Sequence, residues 1–404
     1  MKLLIPPPST TPLSAILPTE PLLLMGAGPV PIPQAVAQAN GTIINHLGPT
    51  MDRVIRNVKT LAGYAFQTQS DKIIGLAGPA SAAMEMAVSN LCWPGRKVLC
   101  LRNGTFSGRL GEMATGVGAE VTYIENVPGR PVDLATVREA FARRSFDVVT
   151  MAHGETSCGI KTVDVPEICR FVKGAGALTI VDTVVTLTAM PVQMDEWGID
   201  VGVTGGQKAL SSIPGVSLCA FSSDAWGAVE QHPGPRPHWC YDALRAQRFW
   251  GGQQYHYTAP VPGILALHEA LRLVADETLE RRFRRHEMSS HALQSGLEAM
   301  GLTLFASKDV RLNSVLGINL PARVDGTRVR EHMTKFFRVE ISGAFGLDIV
   351  RIGQMGEQCR SHNLFKTLYA LGMSFAREGV KLDIAAGMAA LEQGLAGDHE
   401  YFVD

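Results

Sequence analysis

The stretches Ile180-Val181-Asp182-Thr183-Val184 and Val203-Thr204-Gly205-Gly206-Gln207-Lys208-Ala209-Leu210 decide the fold. Each begins at the end of an apolar run, which covers 177–181 in the first case and 201–203 in the second. Such a run predicts a short buried strand that ends in polar residues. Open α/β sheets bind their ligands at the carboxyl ends of such strands. A carboxylate at one strand end and a lysine 26 residues later at another can therefore hold a cofactor between them.

The chemistry that needs this pair of side chains is that of pyridoxal phosphate. A lysine amine condenses with the aldehyde of this cofactor. A carboxylate beside the ring nitrogen keeps that nitrogen protonated, so that the ring accepts electrons. Lys208 and Asp182 are the candidates for these two catalytic roles.

Five motifs give the chain a resemblance to a known family. The sequence resembles the class V aminotransferases of pyridoxal phosphate fold type I, in particular the alanine–glyoxylate and serine–glyoxylate group. The likeness runs from about Leu22 to Leu391. The motifs, in the family's order, are His153-Gly-Glu-Thr-Ser-Cys-Gly159, Val181-Asp182, Gly206-Gln207-Lys208-Ala209-Leu210, Tyr255-His-Tyr-Thr258 and Arg351-Ile-Gly353.

Composition agrees with an ordinary globular protein of this size. The chain has 404 residues, of which 46% are hydrophobic and 19% charged, so one large and one small domain are expected. The net charge of −1 gives no basic footprint for nucleic acid or an anionic membrane. The longest apolar runs, such as residues 22–25, are far too short to span a membrane.

The order of predicted elements is that of an α/β protein. Strands alternate with helices from residue 73 to 203, and 216–222 is expected to be an antiparallel return strand. The resemblance implies a large domain with a mostly parallel seven-stranded sheet between helices, followed by a small C-terminal α+β domain. We assign residues 1–20 to a Pro-rich arm without regular helix, 21–280 to the large cofactor-binding domain and 281–404 to the small domain.

Two further segments have local interpretations. Residues 231–250 are predicted to be mostly loop, because three prolines fall close together there. A long charged helix is predicted over 279–300, and its arginines are interpreted as a solvated face rather than a nucleic-acid patch. These arginines are Arg281, Arg282, Arg284 and Arg285.

The resemblance also implies the residues that bind the cofactor. Small residues at the turn into a helix over 82–91 let backbone N–H groups approach a phosphate, although Pro79 removes one donor there. An aromatic ring and an apolar side chain would cover the two faces of the cofactor ring, and a hydroxyl would bind its phenolic oxygen. The residues matched are Ala80 and Ser81 for the phosphate, Gln207 for the phosphate or the surroundings of the lysine, Phe106 and Val184 for the ring faces, Thr156 for the phenolic oxygen, and Asp182 and Lys208 as above.

Two more expectations concern the substrate and the partner. A planar guanidinium binds a carboxylate through two parallel hydrogen bonds, so Arg351 is the candidate for the substrate carboxylate, which the Gly28 backbone would also face. In the resembled family the segment with Tyr255 and Thr258 grips the phosphate of the other subunit, which implies a homodimer with shared sites. No cysteine or histidine spacing suggests a metal site, and the seven scattered cysteines favour free thiols in a reducing cytoplasm.

The reaction partners stay open at this level. The resemblance implies transfer from alanine, serine or a similar donor to glyoxylate or pyruvate. Ureidoglycine–glyoxylate aminotransferases share the Cys359-Arg360 pair, but the Gln expected near His46 is absent. Pyridoxamine–pyruvate aminotransferases share C-terminal patterns, but the Tyr255 and Thr258 grip argues against a substrate without phosphate. A lyase or desulfurase would need a mobile cysteine, for which Cys359 is the candidate.

Overall fold

A computed structural model describes residues 8–252 and 254–396. Its strands are β1 (Leu23–Leu24), β2 (Ile73–Ala77), β3 (Lys97–Arg102), β4 (Glu120–Glu125), β5 (Val148–Ala152), β6 (Gly154–Glu155), β7 (Ile160–Lys161), β8 (Leu178–Asp182), β9 (Val201–Gly205), β10 (Val216–Phe221), β11 (Val315–Asn319), β12 (Val339–Glu340), β13 (Ser342–Gly343) and β14 (Ile349–Gly353).

Its α-helices are α1 (Leu13–Ile16), α2 (Gln34–Asn40), α3 (Pro49–Phe66), α4 (Ala80–Leu91), α5 (Thr105–Gly116), α6 (Leu134–Arg143), α7 (Val165–Gly174), α8 (Met194–Trp197), α9 (Ser223–Glu230), α10 (Ala243–Gly252), α11 (Val261–Glu277), α12 (Leu279–Ala299), α13 (Gly326–His332), α14 (Ser361–Arg377) and α15 (Ile384–Leu395). Short 3₁₀ turns cover Trp239–Tyr241, Lys308–Val310 and Gly356–Cys359, and Met333–Phe337 is a π-helical turn. None of the described helices combines the length and apolar composition that a membrane crossing requires.

A seven-stranded sheet forms the centre of the molecule. Its strand order is β2-β10-β9-β8-β5-β3-β4, and only β10 runs antiparallel to its neighbours. Strands β5, β9 and β10 are buried along their whole length, because helices cover both faces of a parallel sheet. The mostly parallel seven-stranded sheet between helices is confirmed, and so is the antiparallel return strand after the lysine.

The C-terminal part has its own smaller sheet and core. Strands β11, β14 and β13 form a three-stranded antiparallel sheet, and α12, α14 and α15 pack together beside it. The small α+β part is therefore confirmed. Met25 is fully buried in this second core, and β1 pairs with β12, so the start of the large domain is tied to the small one. The domain boundaries at residues 20 and 280 stay predictions.

Four local expectations differ from the structure. Helix α10 lies within the segment predicted to be mostly loop, since the proline run ends at Pro237 and leaves Ala243–Gly252 free to form helix. Helix α2 follows Pro33 directly and was not predicted; Pro33 is the extended N-cap residue, so the prolines end before the helix begins. In the Pro-rich arm, residues 1–7 lie outside the described range and Leu13–Ile16 form one exposed helical turn.

The fourth difference concerns the arginines of α12. Arg282 and Arg285 are 4% and 1% exposed, so the interpretation of a solvated face is wrong for both. Each forms an ion pair with Glu277 at the end of the preceding helix. These pairs join two different helices, which are separated by a break at Thr278, where φ is +67°. Helical spacing in the sequence therefore does not predict them.

Candidate active site

Asp182 and Lys208 lie at the same edge of the large sheet. Strands β8 and β9 are parallel neighbours, with Asp182 opposite Val203, so both strands end at one edge. Lys208 follows β9 by three residues, in a turn closed by the Ser211 N–H donating to the Lys208 carbonyl at 2.8 Å. The structure therefore brings the predicted carboxylate and amine into one region.

The Asp182 carboxyl is buried, with a single neighbouring donor on its own chain segment. The pKa of Asp182 is raised to about 7, chiefly by burial. The Val184 N–H donates to Oδ1 at 2.9 Å and opposes this rise, whereas the Glu155 charge adds to it. Lys208 also lowers the pKa of this carboxyl. A cation placed against Asp182 would favour the ionised carboxylate, and a protonated ring nitrogen is such a cation.

The Lys208 amine is largely shielded from solvent. Its pKa is lowered to about 8, chiefly by burial and also by the positive charge of Arg351, while Asp182 acts in the opposite direction. At pH 7 about one tenth of such amines are neutral, against well under one in a thousand for an ordinary lysine. Nζ donates to the Ala27 carbonyl. Gly28 has φ +100°, and a Cβ there would lie 2.5 Å from Nζ, so this position requires glycine.

The Arg351 guanidinium is held in a fixed orientation. It lies on β14, is 6% exposed, and donates from Nε to the Gly343 carbonyl at 2.8 Å and from Nη1 to the Thr156 carbonyl at 2.6 Å. These two bonds use two of its five N–H donors. The bond to Thr156 also brings this strand of the small sheet next to the turn between β6 and β7.

Glu155 organises the ring side of the site and was not predicted from the sequence. This fully buried carboxylate accepts from Ser107 N and Oγ, both at 2.8 Å, and from Ser157 Oγ at 2.5 Å. It also accepts from Phe106 N at 3.2 Å. Glu155 thereby joins the start of α5, which carries Phe106, to the loop that carries Thr156. The only signal in the sequence was an acid between a strand and two hydroxyl residues.

Arg109 is a second residue that the sequence did not reveal. Its guanidinium carbon lies 4.6 Å from the centre of the Phe106 ring, a cation–π contact within one turn of α5. Its charge lowers the pKa of both Asp182 and Lys208. No sequence pattern distinguishes Arg109 from the other arginines.

The start of α4 and the end of β9 form a pole suited to an anion. Ala80 and Ser81 are the first residues of α4, whose first N–H groups have no partner within the helix. A Cβ at Gly205 would lie 2.7 Å from both Ala80 Cβ and Gln207 Oε1, so these residues approach closely. Gln207 is buried, and its Oε1 has no hydrogen-bond partner among the described residues. This pole fits a phosphate group.

Tyr255 and Thr258 lie on the surface of the chain. The Tyr255 side chain is 62% exposed, and its ring packs edge-on against His46 at 5.8 Å. Between them Tyr257 anchors the segment, since its hydroxyl accepts from the Ala77 N–H at 3.2 Å. The outward direction of Tyr255 and Thr258 leaves both accessible to another chain.

Two other polar residues, His153 and Cys359, are buried and have structural contacts. His153 is buried against Trp197, with ring centres 5.6 Å apart, and burial lowers its pKa to about 3, so it stays neutral. Cys359 is fully buried, its Sγ donates to the Gln354 carbonyl at 3.0 Å, and burial raises its pKa. A desulfurase needs a mobile thiol, and Cys359 does not provide one.

Comparisons with known proteins identify the family of the chain. The family model described as Aminotransferase class-V matches residues 33–348. The mouse alanine–glyoxylate aminotransferase is 30% identical over 381 residues, covering 92% of this chain and 91% of the relative.

Two solved structures are similar over nearly the whole chain. The ureidoglycine–glyoxylate aminotransferase of Bacillus subtilis has a TM-score of 0.92 at 28% identity and covers 94% of this chain and all of its own. The pyridoxamine–pyruvate aminotransferase of Mesorhizobium loti has a TM-score of 0.89 at 26% identity, with 94% and 98% covered. The fold is that of the fold-type I pyridoxal phosphate aminotransferases, and the chain is a transaminase that belongs to the class V aminotransferase family.

Proposed function

We propose that this aminotransferase moves an amino group from a small amino acid, such as alanine or serine, to glyoxylate or pyruvate, with pyridoxal 5'-phosphate as its cofactor. The observation that carries the proposal is a buried amine, Lys208, whose pKa responds to the Asp182 carboxylate and the Arg351 guanidinium. A cofactor ring needs the acid, and an amino acid needs the guanidinium. Glyoxylate appears in the names of both the mouse and the Bacillus relatives, which favours it as the acceptor.

When bound, pyridoxal phosphate supplies an aldehyde and an electron-accepting ring. Asp182 would hold the proton on the ring nitrogen, and Phe106 and Val184 would cover the two ring faces. The N-terminal residues of α4, with Gln207, would hold the phosphate, and the Thr156 hydroxyl would bind the phenolic oxygen. The fit is supported by the first N–H groups of α4, which are donors without a partner inside the helix.

Lys208 has two tasks in the proposal. It would hold the cofactor covalently, and once displaced by the substrate amine it would take the proton from the substrate α-carbon as a general base. The second task needs a neutral amine, which the lowered pKa of about 8 supplies near neutral pH. Arg351 and the Gly28 backbone would orient the substrate carboxylate.

We further propose a homodimer with sites shared between subunits. Tyr255 and Thr258 of one subunit would grip the phosphate held by the other, a role that their exposure supports. A cytoplasmic location is supported by the cysteines, since all seven are free thiols and six of them are buried. This location belongs to the proposal alone.

A spectral titration of the purified cofactor-loaded protein tests the proposed reaction. Alanine, serine, ureidoglycine and pyridoxamine are added in turn, and the visible absorption of the bound cofactor is followed. The expected result is loss of the visible band with alanine or serine and its return with glyoxylate or pyruvate. Response to ureidoglycine or pyridoxamine alone would replace the proposed donor, and a band unmoved by all four would overturn the proposal.

A further inference from the structure

Glu277, Arg282 and Arg285 form an ionic cluster at the junction of α11 and α12, in which both arginines are buried and Glu277 is half-buried. The Glu277 carboxylate accepts from Arg285 Nε at 2.5 Å and Nη2 at 3.0 Å, and from Arg282 Nη1 at 2.8 Å. Burying such charges is costly, and an apolar cluster of similar volume often gives equal stability. Stability alone therefore does not account for the cluster, and the other contacts of the two arginines indicate its role.

Each arginine also binds the backbone of a functional segment. Arg282 donates from Nη2 to the Ala209 carbonyl at 2.8 Å, and Ala209 directly follows Lys208. Arg285 donates from Nη1 to the Gly356 carbonyl at 2.8 Å, five residues after Arg351. Glu277 thus holds two arginines, one of which reaches the turn that carries Lys208. The other reaches the Gly356 turn, which follows the strand of Arg351.

The turn at Gly356 is fixed from other sides as well. The Gly356 N–H donates to His286 Nε2 at 2.9 Å, which leaves His286 Nδ1–H to donate to the Arg282 carbonyl at 2.7 Å. Burial and the two arginines hold the pKa of His286 well below its ordinary range, so this acceptor stays neutral. Gln358 Nε2 donates to the Gly26 carbonyl at 2.8 Å, which ties the glycine segment beside Lys208 to the same turn.

The two turns also touch directly. Gly356 has φ +56°, and a Cβ there would lie 1.6 Å from Ser211 Oγ and 3.5 Å from Arg282 Nη2. Ser211 itself has φ +55° and closes the Lys208 turn through its N–H. A methyl group at position 356 would displace the Ser211 hydroxyl and would still lie only 3.0 Å from Ser211 Cβ, so it would press on the Lys208 turn.

We propose that Glu277, Arg282 and Arg285 are positioning residues, which join the Lys208 turn to the Gly356 turn and so fix the amine relative to the Arg351 guanidinium. This inference rests on the proposed function, in which Lys208 and Arg351 act on the same substrate. Misplacing reacting groups by about 1 Å can cost on the order of a hundredfold in rate. The cluster acts through position, since neither arginine lies among the residues proposed to touch the cofactor or substrate.

A steric wedge and its removal test the inference. Gly356→Ala introduces the clash with Ser211, and Gly356→Ala/Ser211→Gly removes it while keeping the backbone strain at residue 356. Gly379→Ala is the matched control, because Gly379 also has positive φ, +84°, but has open space around it. All are loaded with pyridoxal phosphate and compared by kcat/KM for the amino donor and by visible circular dichroism of the bound cofactor, which reports its orientation.

The expected result is a loss of about tenfold or more in kcat/KM for Gly356→Ala, with a weakened cofactor dichroism, and recovery of most of both in the double variant. The control should match the wild type. Wild-type kcat/KM and dichroism in Gly356→Ala, or a double variant as impaired as the single one, would overturn the inference. A wild type that converts no amino donor would instead overturn the proposed function.

Should Gly356→Ala not fold, Arg282→Lys carries the same test. Lysine keeps the charge opposite Glu277 but lacks the planar fork by which Arg282 binds that carboxylate through Nη1 and the Ala209 carbonyl through Nη2. The expected result is a KM for the amino donor raised about tenfold and a weakened dichroism in a protein that remains folded. An unchanged KM and dichroism would overturn the inference, and Arg272→Lys, in an exposed cluster with Glu269 and Asp276, is the control.

Discussion

Asp182 and Lys208 lie at the same edge of the large sheet, and their charges interact. The carboxylate raises the pKa of the amine, and the amine lowers the pKa of the carboxyl. Burial outweighs this attraction on both sides. It raises the pKa of Asp182 to about 7 and lowers that of Lys208 to about 8. Both pKa values thus lie close to physiological pH in the chain without cofactor, as expected for groups whose charges a ligand will stabilise.

Asp182→Asn should stabilise the cofactor-free protein at neutral and alkaline pH. Because the folded pKa of Asp182 lies above the unfolded value, its stability contribution is complete below about pH 4 and is lost as pH rises through about 7. A neutral amide escapes this loss, so the free energy of unfolding at pH 8 should rise by up to about 4 kcal/mol. Urea unfolding of the cofactor-free protein from pH 4 to 8 measures the difference.

At pH 4 the Asp182→Asn and wild-type proteins should have nearly equal stability. Asp71→Asn is the control, since the Asp71 side chain is 74% exposed. The burial account would be contradicted by an Asn variant that loses stability at pH 8. The same variant loaded with cofactor should lose turnover, because an amide cannot hold the ring-nitrogen proton.

Arg351→Gln should raise the KM for the amino donor about tenfold to a hundredfold. A charged hydrogen-bonded pair contributes roughly 1.5–3 kcal/mol, and glutamine keeps neither the charge nor the paired donors. Steady-state kinetics with alanine, after a check of the folded state by circular dichroism, gives the value. The control Arg328→Gln changes an arginine whose side chain is 70% exposed and should leave KM unchanged.

An unaltered KM in Arg351→Gln would show that another group binds the substrate carboxylate. Because Arg351 also holds the Gly343 and Thr156 carbonyls, some loss of stability is expected as well.

Subunit mixing tests the shared site. Lys208→Ala lacks the amine, and Tyr255→Ala/Thr258→Ala lacks the proposed phosphate grip of the neighbouring subunit. Random mixing makes half of the dimers hybrids, and one of the two sites in each hybrid is intact, so about a quarter of wild-type activity should return at limiting cofactor. Activity after unfolding and refolding the two variants together is the measurement.

Each variant refolded alone is the control and should stay inactive at limiting cofactor. A monomer by light scattering, or no recovery in the mixture, would contradict the shared site.

The sequence predicted what depends on local pattern. Apolar runs ending in Asp182 and before Lys208 predicted the strands, and parallel strands necessarily bring their carboxyl ends to one edge. Contacts between distant segments were beyond such patterns. The Glu155 carboxylate meets the start of α5 some 48 residues away, and the Arg285 partner lies across a helix break. Arginines at helical spacing looked solvated because the groups that Arg282 and Arg285 bind beyond Glu277, the Ala209 and Gly356 carbonyls, are distant in sequence.

The covalent attachment of the cofactor at Lys208 is the central claim, and chemical trapping tests it most directly. The protein is loaded with pyridoxal phosphate and reduced with borohydride, which makes any lysine attachment permanent, then digested and analysed by mass spectrometry. Lys173→Ala, which removes an exposed lysine paired with Asp224, is the control and should be labelled like the wild type. We expect the reduced cofactor on Lys208 in the wild type and no label at this position in Lys208→Ala. A label on another lysine, or no label in the wild type, would contradict covalent attachment at Lys208.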